Sequence, residues 1–291
     1  MNAIKETTDY FTSYDQQQLF YRVFAPKNLE KNPKKVFLGI HGAFSHSENL
    51  RTIAEFLTQQ GYLFYAFDRR GEGHWDQKKS RGHISSYQKY IKDIKAFHAF
   101  IKQHNKSSNI YYVGHSMGGA QALIMAIDFP NLVDGVIVSS PCIRLSMLTI
   151  KRRFLFLMAK MMCFLFPGMR ISHGVKMKEV ISDKKIRKKR EQDSLGLDKI
   201  TTCYTRELFK TGKYVSQHFP KLPDIPIFFI LSGKDNLVDN NYTKNLYEEH
   251  LAKRSNVKLK IYPEHLHENF NELPKNRQKV FSDIKEFVTQ Q

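Results

Sequence analysis

Gly114-His115-Ser116-Met117-Gly118-Gly119 follows directly on the β-branched and aromatic run Ile110-Tyr111-Tyr112-Val113 and runs into Ala120-Gln121-Ala122-Leu123-Ile124-Met125-Ala126, a string of helix formers. This is Gly-x-Ser-x-Gly at a strand-to-helix turn. The spacing has a steric reason: a serine at the tip of so sharp a turn leaves no room for side chains on its flanks, and glycine relieves the crowding. The helix behind the turn would also aim its positive end at the serine hydroxyl. Ser116 is therefore a candidate nucleophile.

A hydroxyl needs a neighbouring base and a carboxylate to orient that base, and the chain offers candidates for both. Ile225-Pro226-Ile227-Phe228-Phe229-Ile230-Leu231 reads as a buried strand and ends in Ser232-Gly233-Lys234-Asp235, which sets Asp235 just past a strand tip. Val257-Lys258-Leu259-Lys260-Ile261-Tyr262 alternates as a strand and breaks at Pro263, and the following loop carries His265 and His267. Upstream, the apolar run Lys35 to Ile40 ends in His41-Gly42-Ala43-Phe44, where a glycine lets the next backbone N–H face a developing oxyanion.

Strands and helical stretches alternate along the rest of the chain. An opening hairpin is expected to turn at Asp15-Gln16. Strand 35–40, helix 47–60, strand 62–67, helix 84–105, strand 109–113, helix 117–128 and strand 133–139 follow. After an interruption the rhythm resumes with strand 225–231, helix 240–252 capped by Asp239, strand 256–261 and helix 276–289. This pattern predicts an α/β fold with a mostly parallel, eight-stranded, doubly wound sheet flanked by helices. The core is expected from 1–141 and 223–291, and 142–222 is read as an inserted helical cap. The turn Asp68-Arg69-Arg70-Gly71-Glu72-Gly73-His74 is read as structural.

The chain resembles the monoglyceride lipase and lysophospholipase branch of the α/β-hydrolases, serine hydrolases with a helical cap. The resemblance rests on HGAFSHSENL at 41–50, FDRRGEGHWD at 67–76, RGHISSYQKYIKDIKAF at 81–97, GHSMGG at 114–119, SGKDNLVD at 232–239 and YPEHLHENFNE at 262–272. It extends from about residue 17 to the C-terminus, and only the cap matches loosely. It implies a Ser116, Asp235, His267 triad in that chain order. His267 is the match because Glu268 and Asn271-Glu272 follow it, with His265 second. The backbone N–H groups of Ala43 and Met117 would hold the oxyanion. The implied activity is cleavage of carboxylic esters of single-chain lipids, lysophospholipid or monoacylglycerol, through an acyl-enzyme and without metal or organic cofactor. The same triad also serves acyl transfer and amide or peptide hydrolysis.

The 291 residues suit one large domain with an insertion. Lys and Arg outnumber Asp and Glu 46 to 28, a net charge of +18, and 142–222 alone holds 19 against 6, a net +13. Such a field attracts anions. Beside the basic residues lies the apolar run Phe154 to Phe166, shorter than the roughly 20 residues that span a bilayer. It suits a buried cap helix, an acyl-chain wall, or an interfacial helix whose flanking Lys151, Arg152, Arg153 and Arg170 meet anionic headgroups. Nucleic acid is not expected, since Ile181 to Arg190 carries no interleaved aromatics and no nucleic-acid-binding motif is found. Three cysteines, Cys142, Cys163 and Cys203, form no disulfide or zinc pattern, and no apolar leader opens the chain, so cytoplasmic residence is expected, possible at the inner membrane face. Oligomeric state leaves no sequence mark.

Overall fold

The computed structural model describes residues 4–28, 33–146, 158 and 161–291. Lys151, Arg152, Arg153 and most of the apolar run before Met161 lie outside the described residues.

Strand β1 (Ile4–Thr12) pairs antiparallel with β2 (Gln18–Pro26), and Gln16 in the turn between them takes φ 65. β3 (Lys35–Ile40), β4 (Leu63–Phe67), β5 (Asn109–His115) and β6 (Gly135–Ser139) follow in the core. β7 (Arg170–Ser172) and β8 (Lys199–Thr201) form a separate two-stranded antiparallel ribbon. β9 (Ile227–Ser232) and β10 (Val257–Tyr262) complete an eight-stranded sheet of order β1-β2-β4-β3-β5-β6-β9-β10. Every pair from β4 to β10 is parallel, and β2 alone runs against the rest.

The main helices among the described residues are α1 (Arg51–Gln59), α2 (Tyr87–His104), α3 (Met117–Asp128), α4 (Lys184–Glu191), α5 (Thr202–His218), α6 (Asn240–His250) and α7 (Pro274–Thr289). Alternation along each central strand divides the core into two. Val36, Leu38, Ile110, Tyr112 and Phe229 face α2, α3, α5 and α6, whereas Phe37, Tyr111, Ile137 and Phe228 face α1 and α7. A sheet covered on both faces explains strands that are apolar throughout.

Within the core, the differences from expectation lie at element ends. The first turn of the expected helix 47–60 is a 3-10 turn, Ser47–Leu50. The helix expected from 84 starts at Tyr87, where the Ser86 hydroxyl accepts from the Gln88 N–H and fixes the boundary. Asp239 caps α6 by accepting from Tyr242 N–H.

The insertion between β6 and β9 contains the β7–β8 ribbon as well as helices. Its last helix, α5, packs on α3 and α2 and sends Val215 into the main core, joined by Phe219 and Leu222 just beyond it. A third apolar cluster, with Met117, Leu197, Ile200 and Tyr204 and with Ala43 and Phe44 packed against it, joins the insertion to the strand tips.

Candidate active site

Ser116 lies between β5 and α3 at φ 53, a backbone region that non-glycine residues rarely occupy. Its N–H donates to Ser139 O at 2.9 Å, and its carbonyl accepts from Ala120 and Cys142 N–H at 3.1 and 2.9 Å. The flanking glycines are sterically required. A Cβ on Gly114 would stand 2.5 Å from Gly118 O, and one on Gly118 would collide with Ile40 O and His41 O. Gly118 thus lets the start of α3 press on the end of β3, bringing the His41–Phe44 loop to the serine. A Cβ on Gly42 would stand 3.5 Å from the Ser116 Cβ, so the Gly42–Ala43 peptide lies against Ser116. Met117 is the first residue of α3, and the first N–H groups of a helix have no intrahelical acceptor.

Asp235 follows β9, and His267 follows β10. His267 Nδ1 lies 2.7 Å from Asp235 Oδ2, and both side chains are buried. Asp235 Oδ1 also accepts from Leu237 and Val238 N–H at 2.8 and 3.1 Å, and Oδ2 from Asn240 Nδ2 at 3.1 Å. With its only carboxylate-facing nitrogen acting as donor, the neutral ring keeps Nε2 as an acceptor. Burial opposes charge on both groups. The ion pair outweighs it, so the His267 pKa rises above the ordinary value and that of Asp235 falls. Gly233 lets these two loops meet, since a Cβ there would lie 2.5 Å from Pro263 O. The Gly233 N–H donates to Tyr262 O at 2.8 Å and Lys234 N–H to His265 O at 2.9 Å.

Ser116, His267 and Ala43 line one cavity of about 520 Å³ together with Val175, Met177 and Val180 of the insertion. His265 does not line it. That ring stacks on Tyr262 at 4.8 Å and meets Asn269 Oδ1 at 3.0 Å, so it braces the loop.

A model of the family described as serine aminopeptidase, S33, matches residues 31–274. The chain belongs to this family. Over 97% of its length it is 28% identical to human monoglyceride lipase, 90% of which is covered. It is 27% identical to phospholipase YtpA of Bacillus subtilis strain 168, over 89% of this chain and 96% of that one. A solved soluble variant of monoglyceride lipase from Saccharomyces cerevisiae, in complex with a substrate analog, superposes with a TM-score of 0.83 at 22% identity, covering 97% and 94% of the two chains. The chain is a lipase-like α/β-hydrolase, and its relatives support ester hydrolase activity.

In this α/β-hydrolase the serine-facing loop is held by a buried ion pair within the Asp68–His74 turn. Arg69 Nε meets Glu72 Oε2 at 2.8 Å, while its other nitrogens donate to His41 O, Gly42 O and Gln121 Oε1 at 2.8, 2.5 and 3.0 Å. Glu72 Oε1 accepts from Phe44 N–H at 2.8 Å and from the Tyr204 hydroxyl at 2.9 Å. Tyr204 comes from α5, far along the chain, and no local motif announces it. Asp68 closes the turn by accepting from Ser47 and His74 N–H at 2.8 and 2.9 Å. Also unforeseen were His46 Nε2, 2.6 Å from Asp193 of the insertion, and the presence of Arg190 and Glu268 on the cavity wall. His115 stays neutral beside them, its pKa lowered to about 4 by burial. His41 sits under the loop, its Nδ1 2.8 Å from Gly42 O and its Nε2 accepting from Arg69 N–H at 3.1 Å.

Proposed function

We propose that the protein hydrolyses carboxylic esters of single-chain lipids through an acyl-enzyme on Ser116. The observation that carries this reading is the 2.7 Å contact of His267 Nδ1 with Asp235 Oδ2 on a histidine that shares its cavity with a serine held at positive φ. Ser116 Oγ attacks the ester carbonyl as His267 Nε2 takes its proton, and Asp235 stabilises the imidazolium. The oxyanion lies on the N–H groups of Ala43 and Met117, each donor worth about 3–4 kcal/mol of barrier. The C–O bond breaks, His267 protonates the departing alcohol, and water repeats the cycle to release the fatty acid.

The names of the relatives, monoglyceride lipase and phospholipase, favour lipid esters over peptides. Residues 142–201 act as the lid, and α5 belongs with the catalytic core, because its apolar face is spent on α2 and α3. Met161, Phe164, Leu165, Phe166 and Met169 are exposed on the lid beside Arg170, an arrangement suited to resting on an anionic membrane surface. Among the described residues no helix is long and apolar enough to cross a membrane.

The test is the rate on p-nitrophenyl butyrate, a monoacylglycerol, a lysophosphatidylcholine and an aminoacyl p-nitroanilide, with Ser116→Ala as control. Ester cleavage lost in Ser116→Ala, with the anilide untouched, is expected. Cleavage of the anilide alone would move the reading to a peptidase.

A further inference from the structure

Arg190, partly buried, differs from the buried arginines in how it is held. Arg22, Arg69 and Arg70, with side chains no more than 8% exposed, each find a partner at 2.6 Å or closer: Glu6 Oε1 at 2.6 Å, Gly42 O at 2.5 Å and Asp93 Oδ1 at 2.5 Å. Arg190, at the end of α4 and 12% exposed, reaches among the described residues Ser45 Oγ at 3.3 Å, Asn49 O at 3.3 Å and Glu268 Oε2 at 3.7 Å. Glu268 is drawn elsewhere. Its Oε2 accepts from Asn271 Nδ2 at 2.7 Å, and its Oε1 lies 3.5 Å from His115 Nε2. A guanidinium carries five N–H donors and stays charged, so one withdrawn from water with only long contacts is short of acceptors. It lines the same cavity as Ser116 and His267.

The remainder of that wall limits what the anion can be. Glu191 and Asp198 also line the cavity and are exposed, so a headgroup carrying only negative charge would meet repulsion at its outer end. A phosphodiester with a terminal ammonium matches both features. The guanidinium fork takes two phosphate oxygens, and the carboxylates face the ammonium. A glycerol headgroup without phosphate leaves Arg190 as loosely held as before.

We propose that Arg190 is the headgroup-binding residue of this hydrolase and that it directs the enzyme to zwitterionic lysophospholipids over neutral monoacylglycerols. The inference rests on the ester-hydrolase reading above. In the reaction the acyl C–O bond breaks, the glycerophosphodiester leaves as the alcohol with the proton from His267, and the phosphodiester itself is untouched.

The experiment measures kcat/KM for 1-palmitoyl lysophosphatidylcholine and 1-palmitoylglycerol in the same mixed micelles, with p-nitrophenyl butyrate as an ester lacking a headgroup. Wild type is expected to favour the lysophospholipid. Arg190→Gln is expected to lower the lysophospholipid-to-monoacylglycerol ratio by about 10- to 100-fold, chiefly through KM, the range of a charge-assisted hydrogen bond. Arg190→Lys should recover part of the loss, because the charge remains and the fork does not. A ratio unchanged in Arg190→Gln, an equal fall on all three esters, or a wild-type preference for the monoacylglycerol would overturn the proposal. Failure of wild type on p-nitrophenyl butyrate as well would instead remove the ester-hydrolase reading beneath it.

Discussion

At the scale of single residues, the two histidines of the loop after β10 separate cleanly by what they touch. His267 meets Asp235 on the cavity wall, and His265 meets Asn269 and Tyr262 away from it. His267→Ala should reduce ester turnover by at least about 10³-fold, the scale of losing a triad member. His265→Ala should keep turnover within about tenfold and lower the melting temperature. The base must be neutral to accept the serine proton, and the Asp235 pair raises its pKa. The acidic limb of kcat/KM should therefore have its midpoint above the ordinary histidine value of about 6.5, and a pH–rate profile reads it directly. Ser116, Asp235 and His267 stood out as candidates because each lies at or a few residues past the end of an apolar strand run flagged by glycine or proline. Arg190 did not, because in sequence it is one more cation in a basic run, and only folding sets it on the cavity wall.

Among the elements, the close approach of α3 to β3 shapes the serine-facing loop. Gly118→Ala would drive a methyl into Ile40 O and His41 O, whereas a Cβ on Gly168 meets nothing within 4 Å. Urea unfolding should show Gly118→Ala destabilised by about 1–3 kcal/mol, the usual cost of overpacking, and Gly168→Ala nearly unchanged. Tyr204→Phe removes the hydroxyl that donates to Glu72 in the Arg69–Glu72 support, and should cost about 1 kcal/mol of stability in the same urea unfolding together with a fall in kcat. The sheet was readable because the apolar runs of β3, β5, β6 and β9 need cover on both faces. The insertion was less so: the β7 and β8 strands are three residues each, too short for alternation to show, and sequence position gives no sign that the apolar face of α5 packs on α2 and α3.

For the molecule as a whole, acid should destabilise the fold through buried imidazoles. Burial lowers the pKa of both His98 and His115 to about 4. Between that value and the unfolded value of about 6.5 the unfolded chain binds more protons, so stability is full above 6.5 and falls as the pH drops toward 4. Thermal melts at pH 7, 6 and 5 should show a falling melting temperature, and a flat profile would contradict the assignment. The excess of positive charge, concentrated in the insertion, predicts that binding to anionic vesicles weakens as salt rises, which sedimentation at low and high salt measures. The central claim is that Ser116, served by His267 and Asp235, is the nucleophile, and covalent capture tests it most directly. After reaction with a fluorophosphonate, peptide mass mapping should place one adduct on Ser116 in the wild type and none in Ser116→Ala, with His267→Ala labelled far more slowly. An adduct at another residue, or equal labelling of wild type and Ser116→Ala, would contradict it.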